Sequence, residues 1–405
     1  MRCGAEVDAL VLQSPVTLSL RDFQAISYRS LRSIRLPIGR LNVVLGANGV
    51  GKTNLYRALQ PLQASAAGTL SQELAGEGGM QSALWAGKRT PNDPVLLTLS
   101  ADFGEPGAAT GYRYSIAVGL PPSYTDEDGD IHATGNAFAL EAQVKEESLV
   151  FEGGRRPEKL LERRGPHLTA RDEAGVRQDI ETELMASETA LASLQDPVRF
   201  PDLHAVRRTM LDWRFYHDLR TDASSPLRRP SLAVTSPTLA SDGSNLAAVF
   251  ATLVYIRQDE EDLDRAIAEA FPGARLIVPE PEREASFGMI FPDYPQRMFA
   301  ASELSDGTLR YLALAGVLLA YRLPAFLALN EPEASLHPDL LDPLAQLIAC
   351  AAERTQIWLV THSQPLAEAI ARYGKIKPRV VIKRKGETWM EGLQLGGDFD
   401  DEEDD

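Results

Sequence analysis

Gly46-Ala47-Asn48-Gly49-Val50-Gly51-Lys52-Thr53 matches G-x-x-x-x-G-K-[ST], a spacing with a definite chemistry. Glycines let backbone N–H groups come close to phosphate oxygens, and a helix starting at the loop's end points its positive dipole at them. Lys52 has the reach for β- and γ-phosphates, and the Thr53 hydroxyl can ligate Mg²⁺. The apolar run Leu41-Asn42-Val43-Val44-Leu45 precedes the loop, and the helical pattern Asn54-Leu55-Tyr56-Arg57-Ala58-Leu59 follows it. Strand, loop and helix in this order are the setting the motif needs, so the chain is expected to bind a nucleoside triphosphate.

A second set of chemically able residues lies some 250 residues downstream. Leu304-Ser305-Asp306-Gly307-Thr308 opens a strongly helical stretch, and Ser305 with the N–H groups after Gly307 makes another anion-receptive helix start. Glu331 follows Ser305 by 26 residues and stands, with Asn330, at the carboxyl end of the apolar run Phe326–Leu329. His362 comes 31 residues later, after Ile357-Trp358-Leu359-Val360. Open α/β sheets put ligands at such strand ends. A carboxylate and a histidine there suit the activation and sensing of a water that attacks a γ-phosphate.

The elements that must hold these groups read as a buried, mostly parallel sheet with helices between its strands. Residues 17 to about 45 read as strands, with Pro37-Ile38-Gly39 turning the chain into the strand before the loop. Val95–Ser100 and Tyr112–Val118 read as an antiparallel hairpin, and Asp126–Asp130 as a solvated loop. Between 126 and 236 the pattern is mixed and charged: a hairpin around Ala170–Gly175, helices near 180–194 and 202–212, and no sustained heptads. Ser244 is a candidate helix cap, Ser286 to Ala300 read as strands, and a helix starts near Thr308. Tyr311–Leu329 is apolar but interrupted by Arg322 and Pro324, so it reads as a helix and then a strand rather than a membrane span. The expected organisation is a lobe over 1–125, an inserted α+β or lid segment over 126–236, a second lobe over 237–396, and an acidic tail over 397–405.

The chain's 405 residues are ordinary for a soluble globular protein, with 44% hydrophobic and 24% charged residues. Cys3 and Cys350 are its two cysteines, without metal-ligand spacing, which argues against a disulfide framework or zinc site and for a cytoplasmic location. Formal charge is −16, but seven acids in the last eight residues leave the body near −9. That is not the basic balance of an unaided DNA binder. The basic clusters Arg155, Arg156, Lys159, Arg163, Arg164 and Arg207, Arg208, Arg214, Arg220 read as salt-bridged surface ahead of a phosphate track.

Together the loop, Leu304-Ser305-x-Gly307, Leu329-Asn330-Glu331-Pro332-Glu333-Ala334-Ser335-Leu336-His337-Pro338 and Leu359-Val360-Thr361-His362-Ser363 resemble the RecF/SMC/OLD branch of ABC-type ATPases. Within it, the chain is similar to the stand-alone bacterial RecF-like AAA family ATPases. Tyr28-Arg29-Ser30-Leu31 fits that branch too. The specific motifs cover about 17–62 and 239–368. The resemblance implies a P-loop NTPase of ABC/SMC-head type, with a mixed sheet core, an antiparallel β lobe and an inserted α+β segment. It implies ATP and Mg²⁺ as cofactors, and a homodimer closing head to tail around two ATPs. Gly46 to Asn54 and Arg29 would contact the nucleotide, and Ser305 and Gly307 of the opposite subunit would close over the γ-phosphate. Glu331 would be the general base, His362 the switch histidine, and Lys52 the charge on the phosphates. Thr53 and Asn330 would serve the metal, and Ser335 to His337 would lie on the loop that communicates across the dimer.

Three departures from the family pattern bear on function. Asn330 stands where an aspartate normally supports the Mg²⁺ shell. The glutamine linking the first lobe to Mg²⁺ has only Gln81 as a candidate. The chain also stops soon after a hairpin around 378–394, leaving no room for the nuclease domain of OLD proteins. His217 and Asp218 lack metal-partner spacing and read as structural. The resemblance suggests an ATP-driven switch in DNA maintenance or defence against foreign DNA. The alternatives are an ATP-gated scaffold for a separate effector, or a transporter's nucleotide subunit. The last is disfavoured by the Glu-Pro-Glu…Leu-His-Pro block and by the loop-to-signature distance.

Overall fold

The structure, a computed structural model, describes residues 18–88, 95–125, 131–133, 138–154, 156–181, 183–257, 261–394 and 396–399. Cys3, Arg155, the acidic loop 126–130 and the acids from Asp400 onward lie outside them. The chain forms two compact units. The described part of one comprises Arg40–Leu45 and Arg214–Arg379; that of the other comprises 18–39, Gly46–Trp213 and residues from Val380 onward.

In the first unit, four parallel strands lie side by side in the order Arg214–Tyr216, Phe326–Asn330, Gln356–Thr361, Leu41–Leu45. Every residue of Phe326–Asn330 is buried, as expected of a strand covered on both faces. The helices Leu246–Ala251, Glu261–Ala270, Asp306–Leu318, Leu341–Ala351 and Gln364–Gly374 supply most of the apolar core. Of Asp306–Leu318, everything from Leu309 onward is buried, so this is an interior helix rather than a surface one. The apolar Tyr311–Leu329 stretch therefore does resolve into a helix and a strand. No helix among the described residues is long and apolar enough to cross a membrane.

The second unit is built on an eight-stranded antiparallel sheet. Its order is Arg177–Asp179, His167–Arg171, Glu158–Arg164, Gln143–Glu152, Gly111–Gly119, Leu96–Gly104, Ser19–Tyr28, Leu31–Pro37. Side chains alternate across it: Leu97, Leu99, Ala101 and Phe103 are buried on one face. Asp22, Arg35, Asp102 and Arg113 share a cluster with Arg113–Asp102 at 2.7 Å and Arg35–Asp22 at 2.9 Å. Burial raises the Asp22 carboxyl above its ordinary pKa, against the lowering effect of Arg35. Helices Gln60–Ala67 and Pro201–Leu211 pack together, and Phe103 meets Trp213 with ring centroids 6.0 Å apart. The phosphate-loop helix, Lys52–Arg57, and the hairpin Arg379–Arg384/Glu387–Met390 complete the elements that matter for the site.

Several sequence expectations need correction. The helix expected over 180–194 shrinks to Ala190–Ser193. Arg163, 3% exposed, donates to the carbonyls of Met185 and Glu188, which a helix would have used itself. Glu147, buried beneath, instead accepts the N–H groups of Ala190 and Leu191 and starts a short helix there. Burial raises the Glu147 carboxyl, opposed by those same hydrogen bonds. Ser244 is not the cap expected of it: Asn245 occupies the N-cap position, its amide bonding Ala240 N and Thr238 O. Ser286–Ala300 reduces to Gly288–Ile290 and Phe299–Ala300 around a turn. The helix expected to start near Thr308 is present as Asp306–Leu318.

Candidate functional site

The phosphate loop lies in the second unit. Gly49 and Gly51 adopt φ of +82° and +99°, values open to glycine and costly for other residues. At Gly51 a Cβ would stand 1.9 Å from Thr388 Oγ1 and 2.7 Å from Ser30 Oγ, so glycine is required by space as well as by backbone. These two hydroxyls belong to a network that holds the loop. Thr388 Oγ1 donates to Val50 O at 2.8 Å, Ser30 Oγ lies 2.6 Å from Thr388 Oγ1, and Asn54 Nδ2 donates to Ser30 Oγ at 2.6 Å. Gly51 is the N-cap of the Lys52–Arg57 helix and has no side chain to occupy its first N–H groups. Lys52 is 4% exposed, its Nζ donating to Gly46 O at 2.6 Å and Ala47 O at 2.8 Å. Ala47, Asn48 and Gly49 are exposed, and Thr53 is half-buried.

Arg29 is engaged elsewhere in the same unit: its guanidinium is 2.9 Å from Glu77, which also accepts from Tyr28 Oη at 2.9 Å. Burial and the Glu77 charge push the Tyr28 phenol well above its usual range. Gln81 is exposed on the short helix Gly79–Ala83.

The second constellation lies wholly in the first unit. Parallel register brings Asn330 beside Val360 and Thr361 beside Leu45, so three strands end together, and the next residue after Leu45 is Gly46. Glu331 leaves its strand at φ +47°, a left-handed conformation that a non-glycine residue adopts at a cost of about 1–2 kcal/mol. Its N–H donates to Val360 O at 2.8 Å, carrying the ladder one step past the strand. The Glu331 side chain is 35% exposed, and its Oε1 lies 3.5 Å from His362 Nδ1. Asn330 is buried, and its Oδ1 has no hydrogen-bond partner. An orphaned acceptor of this kind is what a metal-bound water can satisfy, so the residue fits a Mg²⁺-linked role without charge. Among the described residues no group of three His, Cys, Asp or Glu side chains could hold a metal by itself.

Ser305 caps the signature helix, its Oγ accepting from Thr308 N at 3.1 Å. Gly307 lies against the loop after the Glu331 turn: a Cβ there would be 3.0 Å from Ser335 O. His337 is exposed and accepts from Asp339 N, a local cap. Asp218 is exposed with His217, and acts electrostatically on Arg310.

Three first-unit residues were missed as site residues. Arg228 donates to Leu304 O at 2.7 Å and Ser302 O at 3.2 Å, and pairs with Asp306 at 2.5 Å, clamping the signature turn. Arg310, 8% exposed, donates to Leu219 O at 2.7 Å and Glu331 O at 3.3 Å. Burial lowers its pKa, opposed by Asp218 and Glu333. Glu333 stands between the carboxylate turn and the histidine loop. A lone arginine in an apolar helix and a second glutamate in Glu-Pro-Glu were the available signals for the last two. Thr388, in the second unit, had none, being 338 residues from the Val50 it bonds. Of the basic clusters, Lys159 and Arg164 pair with Glu162, as Arg177 from the next strand but one also does, and Arg220 pairs with Asp222.

Solved structures share the fold. A crystal structure of an SmcHead bound to the C-winged helix domain of ScpA matches with TM-score 0.53 and 15% identity, over 93% of this chain and 99% of that one. The Smc head domain with a coiled coil and joint from Pyrococcus yayanosii gives 0.50 and 12%, over 94% and 98%. At these identities the likeness shows the fold alone: an α/β P-loop NTPase of SMC-head type. No curated protein matches the sequence. The family described as "AAA domain, putative AbiEii toxin, Type IV TA system" matches residues 41–367. With that match spanning most of its length, and with the glycine-rich loop and paired strand ends just described, the chain belongs to this family of P-loop ATPases.

Proposed function

We propose that the protein binds ATP with Mg²⁺, dimerises head to tail around it and hydrolyses it. The observation that carries this reading is the common end of three parallel strands, from which the chain issues Gly46, Glu331 and His362. Lys52 and the N–H groups of Gly46 to Asn54 hold the phosphates; Arg29 would have to leave Glu77 to become a further nucleotide contact. For its part, Lys52 exchanges the carbonyls of Gly46 and Ala47 for phosphate oxygens. Thr53 would ligate Mg²⁺ and Asn330 would accept from one of its waters; the ion would supply charge neutralisation on the phosphates. Glu331, part-exposed where Glu333 is buried, accepts the proton of the attacking water, and His362 orients that water. Ser305 and Gly307 of a second copy close over the γ-phosphate.

The work done by this cycle is best placed in the handling or exclusion of foreign DNA. The family's description as a toxin supports defence over repair. Asn330 favours a second reading, a slow or inactive ATPase that gates a separate effector, because an amide supports Mg²⁺ less strongly than a carboxylate. Sizing of Glu331→Gln with ATP, with and without duplex DNA, tests both. A nucleotide-dependent dimer is expected, and one that retains DNA supports the first reading. ATP that persists for hours on a dimeric wild-type protein supports the second. A protein that stays monomeric with bound ATP rejects the dimer.

A further inference from the structure

We propose that Glu333 is the positioning residue for His362, setting which imidazole nitrogen carries the proton; the step it serves rests on the ATPase reading above. Glu333 is 8% exposed, and its Oε1 gathers the histidine loop onto one point. It accepts the Thr361 hydroxyl, His362 N–H at 3.2 Å and Ser363 N–H at 3.3 Å. Thr361 Oγ1 in turn accepts Ser363 N–H at 2.9 Å, so the acceptor is fixed from several sides. The same oxygen lies 3.3 Å from His362 Nδ1, nearer than Glu331 at 3.5 Å. Glu331 is the more exposed carboxylate, at the tip of a left-handed turn, and is the one that solvent reaches.

A fixed buried acceptor beside Nδ1 holds the proton on that nitrogen and leaves Nε2 as the second functional atom of the ring. The two glutamates of Glu-Pro-Glu thereby divide the labour. Glu331 meets water, while Glu333 holds the imidazole that orients it. Carboxylates that orient metal-ligating histidines affect activity about 10–100-fold when lost, and a loss of the same order is expected here.

The test combines ¹⁵N-histidine NMR with a double-mutant cycle. His362 is identified as the imidazole signal missing from His362→Ala, among six histidines in the chain. The wild-type protein is expected to show hydrogen on Nδ1; Glu333→Ala is expected to lose it, and Glu333→Gln, which keeps one acceptor oxygen, to be intermediate. Single-turnover ATP hydrolysis should fall about 10–100-fold in Glu333→Ala, with ATP affinity within about threefold, and should fall no further when His362→Ala is added. An unchanged Nδ1–H signal in both variants would assign the acceptor to Glu331 and overturn the proposal. So would equal losses in the wild-type and His362→Ala backgrounds. Should Glu333→Ala fail to fold, Glu333→Gln carries both readouts. If the wild-type protein does not hydrolyse ATP, the function proposed above fails, and the NMR arm still decides the role of Glu333.

Discussion

At the scale of single residues, the buried strand end is defined by polar atoms that its own fold does not satisfy. Asn330 Oδ1 and Glu333 Oε2 are buried without partners, as is Arg310 Nε. Each such group costs on the order of 1–3 kcal/mol unless something bound repays it. For Asn330 the repayment argues for a metal-bound water, and the amide does this without the charge an aspartate would bring. Asn330→Asp is therefore expected to lower the Mg²⁺ concentration for half-maximal hydrolysis about 10-fold. It should also destabilise the metal-free protein, since it buries an unpaired carboxylate. A Mg²⁺ titration of steady-state turnover reads the first effect and chemical denaturation in EDTA the second. An unchanged Mg²⁺ requirement would remove Asn330 from the metal's surroundings.

Elements matter here through how they are tied. The phosphate loop is held by hydroxyls from two distant hairpins of its own unit, Ser30 and Thr388, closing on the space a Gly51 side chain would fill. Gly51→Ala has to bear a left-handed backbone, which costs about 1–3 kcal/mol, and must also push Thr388 aside. Loss of both stability and ATP affinity is expected, measured by urea denaturation and by a fluorescent ATP analogue. Thr388→Val in the same assays separates the contributions, because it removes the hydroxyl that bonds Val50 while keeping the backbone. The signature turn in the other unit is held in a comparable way by Arg228. In both cases a polar side chain from far along the chain fixes a short functional turn.

For the whole molecule, bound nucleotide should count directly in stability. A ligand at about 100 times its Kd adds about 2.7 kcal/mol to a fold that alone binds it. Thermal unfolding of the wild-type protein is thus expected to shift upward with Mg²⁺-ATP, and Lys52→Ala to abolish the shift. If the protein dimerises around nucleotide as proposed, a second linked equilibrium is added and the wild-type shift should also grow with protein concentration. A shift independent of concentration at saturating ATP would argue against nucleotide-linked assembly.

Much of the candidate site's local backbone was legible in the residues themselves, because the setting of such motifs is local. A phosphate loop needs glycines at fixed spacing between a strand and a helix, and an apolar run ending in Asn330-Glu331 or Thr361-His362 announces a buried strand with something polar at its tip. Periodicity likewise carried the antiparallel hairpins and the interior helix after Ser305. What could not be read were pairings between residues far apart in the chain. The helix expected near 180 was lost to Arg163, whose burial beside those carbonyls no spacing reveals. Thr388 reached Val50 across the length of the chain, and Glu333, visible in its motif, gained its partners only when two strands came into parallel register. Local order follows from propensity and pattern. Which distant side chains become neighbours is decided by packing, where burial makes every unpaired polar atom seek a partner.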